Sequence, residues 1–319
     1  MQHSNLIGRL GVCALLLGLG ACSGGDSTST ADIKTTQGAA QQAAMIVTSA
    51  ATDGVSGAPV PKRGEVARNT PPECDTGSAT TTTRTDTVDS PYTESAFEIT
   101  RVEYENCVVQ FGPQEDPGRN FALLDGVTED GSPDGEAVNY ALRGTAVNDV
   151  LHSQLHVEDS DSGQRFDVFS DTLIRIDSRA SQSDADALFD GTRVLRFEVD
   201  GQPRVTGRFR FGDASTRFHA NRDDTGLLIE GPYRVRVNRC DTGDVTVATD
   251  RRLVRDAQQD FFIDGQLTLT RSDGTATIEF NSDGSVTVTT GDGQTRTFSR
   301  AELESISRDC VPEIDMPEG

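Results

Sequence analysis

The strongest constraint on this chain is a period-two alternation of apolar and polar residues that begins after Cys74 and runs almost to the end. Phe97, Ile99 and the following residues alternate. So do Leu195, Phe197 and Val199, then Val205, Phe209 and Phe211, then Tyr233, Val235 and Val237. Leu267 with Leu269, Ile278 with Phe280, and Val286 with Val288 continue the pattern. Successive side chains of a strand point to opposite faces, so this period predicts half-buried strands rather than helices. Asp200-Gly201, Asp273-Gly274, Asp283-Gly284 and Asp292-Gly293 separate the runs, and Asp-Gly is a preferred hairpin turn. The expectation is a mainly β domain over 73–319: an antiparallel meander forming an open sheet, a sandwich or a partial barrel. The last four strands follow one another with hardly any loop. Ser299-Arg300-Ala301-Glu302 reads as a capping box for a short C-terminal helix.

The amino-terminal part reads differently. Arg9 precedes the apolar run Leu10 to Leu19, which is too short to span a bilayer and fits the hydrophobic region of a signal peptide. The run ends in Leu19-Gly20-Ala21-Cys22, which resembles the lipobox of bacterial lipoprotein precursors: an aliphatic residue, two small residues and the cysteine. The resemblance covers residues 1–23 and identifies an export class, not a domain family. It implies a signal peptide at 1–21, lipidation of Cys22, and a membrane partner held through the lipid. Ser23, where inner-membrane lipoproteins carry aspartate, implies the outer membrane of a Gram-negative envelope. Residues 22–36 read as a flexible tether. Within 37–72, Ala40, Ala43, Ala44, Val47 and Ala51 recur at helical spacing, and a linker with Pro59, Pro61, Pro71 and Pro72 follows.

Charge and cysteines narrow the chemistry. The chain carries a net charge of −22, which becomes −23 once Arg9 leaves with the leader. So acidic a protein argues against general nucleic-acid binding. Cys74, Cys107, Cys240 and Cys310 remain after Cys13 and Cys22 are assigned to the leader and the anchor. An even number in an oxidising compartment predicts disulfides, and three connectivities exist. Cys74–Cys107 with Cys240–Cys310 is favoured because each pair brackets one contiguous stretch. The spacings exclude a zinc motif.

No catalytic signature occurs, so no catalytic residue is assigned. His152 and His156, in Leu151-His152-Ser153-Gln154-Leu155-His156, share a strand face with Gln154. Their Cα atoms would lie about 13 Å apart, too far for one metal ion, so a solvated face is expected. Glu158 to Gly163 and Asn221 to Gly226 lack the EF-hand pattern. Plain turns are expected there, with structural calcium as the alternative and no other cofactor. Residues 193–239 hold ten Arg and six acids, a local +4. Parity points Arg196, Arg204, Arg208, Arg210, Arg217, Arg234 and Arg236 outward. Pairing Phe209 with Phe218 would set Arg210 against Arg217 and Arg208 against His219. Glu198 would face Arg204. Arg208, Arg210, Arg217, Arg234 and Arg236 therefore form a candidate anion site for an anionic glycan or lipid, with neutralisation by other acids as the plain alternative. The functional expectation is a non-catalytic envelope lipoprotein that binds a partner protein, lipid or polymer. The alternative is an envelope-polymer hydrolase whose site leaves no motif.

Overall fold

The computed structural model describes residues 29–51, 73–111, 120–144, 150–159, 162–181, 184–213, 215–255, 261–308 and 310. The expected signal peptide, Cys22 and the expected proline-rich linker lie outside them. In chain order the elements are β1 (Ser29–Thr30), α1 (Thr36–Ala51), β2 (Thr76–Asp86), β3 (Phe97–Gln110), β4 (Asn120–Pro133), β5 (Val138–Arg143), β6 (Leu151–Glu158), β7 (Arg165–Ala180), β8 (Ala185–Val199) and β9 (Gln202–Phe211). There follow β10 (Phe218–Asp223), β11 (Gly226–Val237), β12 (Cys240–Asp241), β13 (Val245–Arg255), β14 (Phe262–Arg271), β15 (Gly274–Phe280), β16 (Val286–Thr290), β17 (Thr295–Phe298) and α2 (Arg300–Arg308). The fold is mainly antiparallel β with one N-terminal and one C-terminal helix, as the alternation and the capping box require. The described residues form two compact units: a central one of β2 to β9, and a terminal one of β1, α1, β10 to β17 and α2, with the boundary at the end of β9.

The central unit is a sequential meander. β2 pairs with β3, and β3 with β4. β5 and β6 together occupy one strand position. Residues 128–131 of β4 pair with β5 and 120–125 with β6, while β7 pairs with both before pairing with β8. Cys74 and Cys107 are bonded across the β2–β3 pair, with Cα atoms 5.2 Å apart. A bulge makes that bond fit. Asn106 has φ 49° and the β3–β4 register shifts between Tyr104 and Cys107, so Cys107 joins the face of Val102 and Tyr104. Gly77 faces the bulge, and a Cβ there would lie 2.0 Å from the Asn106 carbonyl oxygen. Both faces of this sheet carry core. Val102, Tyr104, Cys107 and Leu151 cluster on one, and Phe97, Ile99 and Val138 cluster separately. This departs from the expected division into one apolar and one polar face.

The terminal unit has a single core face. β13 to β17 form successive antiparallel hairpins, and β11 pairs with β13. Ile229, Tyr233, Val247, Leu267, Ile278, Val288 and Phe298 are buried along it. α1 packs against β11, β15, β16, β17 and α2. Thr35 starts α1: its hydroxyl accepts from the Gly38 N–H at 3.1 Å, an N-cap. Ala39, Ala40, Gln42, Ala43, Met45 and Ile46 are buried, so the expected Ala40 and Ala43 lie inward while Ala44 is only half-buried. The polar Gln42 joins them because its Nε2 donates to the Ala31 carbonyl at 2.6 Å. Residues 29–35, expected in the tether, dock instead. β1 pairs in parallel with β12, Ala31 N–H donates to the Asp241 carbonyl, and Ile33 is fully buried. The second disulfide, Cys240–Cys310, ties β12 to the residue just beyond α2, and Gln41 Nε2 lies 2.9 Å from the Cys310 sulfur. The capping box closes reciprocally: Glu302 N–H donates to the Ser299 hydroxyl, and Ser299 N–H to the Glu302 carboxylate.

Candidate functional site

β6 and β7 place a row of polar side chains on one face of the central unit. In register, His152 stands opposite Asp171 and His156 opposite Asp167. Each histidine meets its own acid: His152 Nδ1 is 2.6 Å from Asp171 Oδ1, and His156 Nδ1 is 2.7 Å from Asp167 Oδ1. Gln154 Nε2 also donates to Asp167, at 2.8 Å, and the Phe121 ring stacks on His156 at 4.9 Å. A carboxylate on Nδ1 fixes the ring and directs Nε2 outward. The two rungs are separate, as the strand spacing requires. Among the described residues no group of three or more His, Cys, Asp or Glu side chains is arranged to hold a metal ion.

The acidic turns are spent on local structure. Asp159 Oδ1 accepts from the Ser162 N–H and hydroxyl. Asp223 Oδ1 accepts from the Thr225 N–H and hydroxyl, while its other oxygen pairs with Arg252 at 3.1 Å. These side-chain bonds are how Asp stabilises a turn. Asp223 is held below the usual carboxylate range chiefly by the Thr225 hydroxyl.

The arginines expected to gather round an anion are distributed over several elements. Arg208 and Arg210 belong to β9, Arg217 precedes β10, and Arg234 and Arg236 lie on one face of β11. Arg234 makes a bidentate pair with Asp241, at 3.1 and 2.7 Å, and Arg236 stands in register with the same acid. Burial alone would raise Asp241, but Arg234 and the Gly243 N–H hold it low. His219 faces Glu230, with the ring nitrogen 3.8 Å from the carboxylate. Gly212 N–H donates to the Pro232 carbonyl, so the chain leaving β9 meets β11 there. Glu198 pairs with Arg196 on its own strand at 2.8 Å, where Arg204 was expected, and Arg196 also lies over the Phe169 ring at 4.4 Å.

A different arginine occupies a less ordinary place. Arg193 of β8 stands opposite Thr172 of β7, on the face that carries Leu195 and Phe197. Its Nε donates to the Ser170 hydroxyl at 2.9 Å, and Ser170 bonds to the Thr172 hydroxyl at 3.0 Å. Both hydroxyl residues are buried. Among the described residues no carboxylate pairs with Arg193, and burial pushes its pKa down to about 10, so it stays cationic at neutral pH. Parity held the signal: Arg193 shares the phase of Leu195, Phe197 and Val199.

No protein-family model, no curated protein and no solved structure matches this chain.

Proposed function

We propose that this chain is a lipid-anchored protein of a bacterial cell envelope, outer membrane favoured, whose β units bind a partner rather than catalyse a reaction. The observation that carries the reading is Leu19-Gly20-Ala21-Cys22 at the end of a ten-residue apolar run. Diacylglycerol on the Cys22 thiol and a further acyl chain on its amine would together supply the two or more chains that stable membrane attachment needs. Two disulfides in the folded units support the same address, because such bonds persist in oxidising compartments. No helix among the described residues is long and apolar enough to cross a membrane.

The test is Cys22→Ser. Wild-type protein should partition with membranes, and mass spectrometry of its processed amino terminus should show a lipid-modified Cys22. The variant should accumulate with residues 1–21 still attached and without acyl mass. A wild-type protein that carries no lipid, or a variant processed and membrane-bound like wild type, overturns the anchor.

A further inference from the structure

The geometry points to a binding site for a long-chain carboxylate on the β7–β8 face of the central unit, with Arg193 receiving the carboxylate and Val168, Leu195 and Phe197 receiving the acyl chain. Three observations carry it.

The first is the unspent cation. A guanidinium has five N–H donors, and the recorded bonds of Arg193 use one, from Nε to Ser170. Among the described residues the two terminal amino groups have no hydrogen-bond partner, and neither is a buried atom left without one, so each keeps some exposure to an incoming group. A planar fork with both ends unused matches a carboxylate, which accepts two parallel N–H bonds.

The second is the setting. An arginine kept for structure alone is ordinarily matched by an acid, and the other face of this sheet shows such matching. Arg101 meets Glu129, and Arg175 meets Asp177. Arg193 meets the Ser170 hydroxyl instead, which is itself bonded to the Thr172 hydroxyl. These hold its position without cancelling its charge. One uncancelled positive charge calls for a monoanion, which favours a carboxylate over a phosphate dianion.

The third is what lies alongside. Register sets Leu195 opposite Ser170 and Phe197 opposite Val168, so these apolar side chains continue in line from Arg193 on the same face. All three are only half-buried, in contrast to Phe166 and Val199 at the far end. Phe197 leans on Phe166 with ring centroids 6.3 Å apart. From Arg193 to Phe197 the strand advances about 13 Å, an apolar track with a cation at one end.

The experiment is calorimetric titration of the full chain with laurate, dodecanol, dodecyltrimethylammonium and acetate. Laurate should bind at least tenfold more tightly than dodecanol, which keeps the tail and lacks the charge. Acetate, which lacks the tail, should give no measurable heat, and the cationic amphiphile should bind no better than the alcohol. Arg193→Met should weaken laurate at least tenfold while leaving dodecanol unchanged, and Arg193→Lys should recover part of the loss. If Arg193→Met does not fold, the wild-type series decides alone. Absence of laurate binding, equal affinity for laurate and dodecanol, or tight binding of the cationic amphiphile each overturns the site. The anchor at Cys22 is read by other means, so failure here leaves that reading standing.

Discussion

Removing one negative charge from Glu129 should destabilise the central unit by an amount that depends on pH. Glu129 is buried, with 6% of its side chain exposed, between two arginines. Arg84 approaches with both terminal nitrogens at 3.1 Å, and Arg101 with one at 3.1 Å. Breaking a buried ion pair by deleting one partner costs about 3–5 kcal/mol. Arg84 and Arg101 are 44% and 27% exposed, so water screens them once they are left behind. Glu129→Gln, which keeps the shape, should therefore cost about 2–3 kcal/mol at pH 7. Burial by itself would raise the Glu129 pKa, but the hydrogen bonds and charges of Arg84 and Arg101 outweigh it and hold the carboxyl below its usual value. A depressed carboxyl contributes stability above its unfolded pKa of about 4.3, and that stability is lost as pH falls through the folded value. The gap between wild type and Glu129→Gln should thus be full at pH 7, begin to shrink below about pH 4.3, and close as pH falls through the lowered folded value. The chain has no tryptophan, so urea unfolding is best followed by circular dichroism. Equal midpoints at pH 7, or a gap undiminished at pH 3, would refute the ion-pair account.

Two further outcomes test the frame that holds the sites. Peptide mapping of unreduced protein should recover Cys74 linked to Cys107 and Cys240 linked to Cys310. Under the chain-entropy model, losing the shorter loop costs about 3.8 kcal/mol and the longer about 4.4, so Cys240→Ser/Cys310→Ser should lower stability at least as much as the other pair. Gly191 has φ 136°, and a Cβ there would lie 2.1 Å from the Leu173 carbonyl oxygen. Gly191→Ala should lower the urea midpoint by the equivalent of about 1–3 kcal/mol or more, whereas Thr192→Ala at the exposed neighbour should leave it nearly unchanged.

Alternation made the strands legible wherever apolar residues mark every second position, as in Leu267-Thr268-Leu269 and Val286-Thr287-Val288. It failed on β2, whose run of threonines is extended but exposed, so no apolar beat announces it. Nor does it mark the end of β4, where Thr128 to Pro133 contains Glu, Asp, Gly, Ser and Pro, yet pairs with β3 throughout. Glu129 was lost with that segment. Propensity treats such residues as loop formers, and a buried ion pair overrides propensity once neighbouring strands supply the arginines.

Parity also carries a limit that the disulfide exposes. Counting alternate residues from Phe97 puts Cys107 on the face of Ile99, away from Val102 and Tyr104. The bulge at Asn106 inserts one residue, and everything beyond it changes face. Cys107 then lies with Val102, Tyr104 and Cys74. Spacing could therefore favour the pairing of Cys74 with Cys107 while parity misassigned the side on which it forms. Arg193 is the complementary case. Its phase with Leu195 and Phe197 is legible in the sequence, but the anion site was sought only among the arginines that parity turns outward, and an arginine on an apolar face was passed over. Where a charged residue keeps the beat of an apolar strand, the beat is the better guide to its face. The missing counter-charge is then the question a ligand can answer.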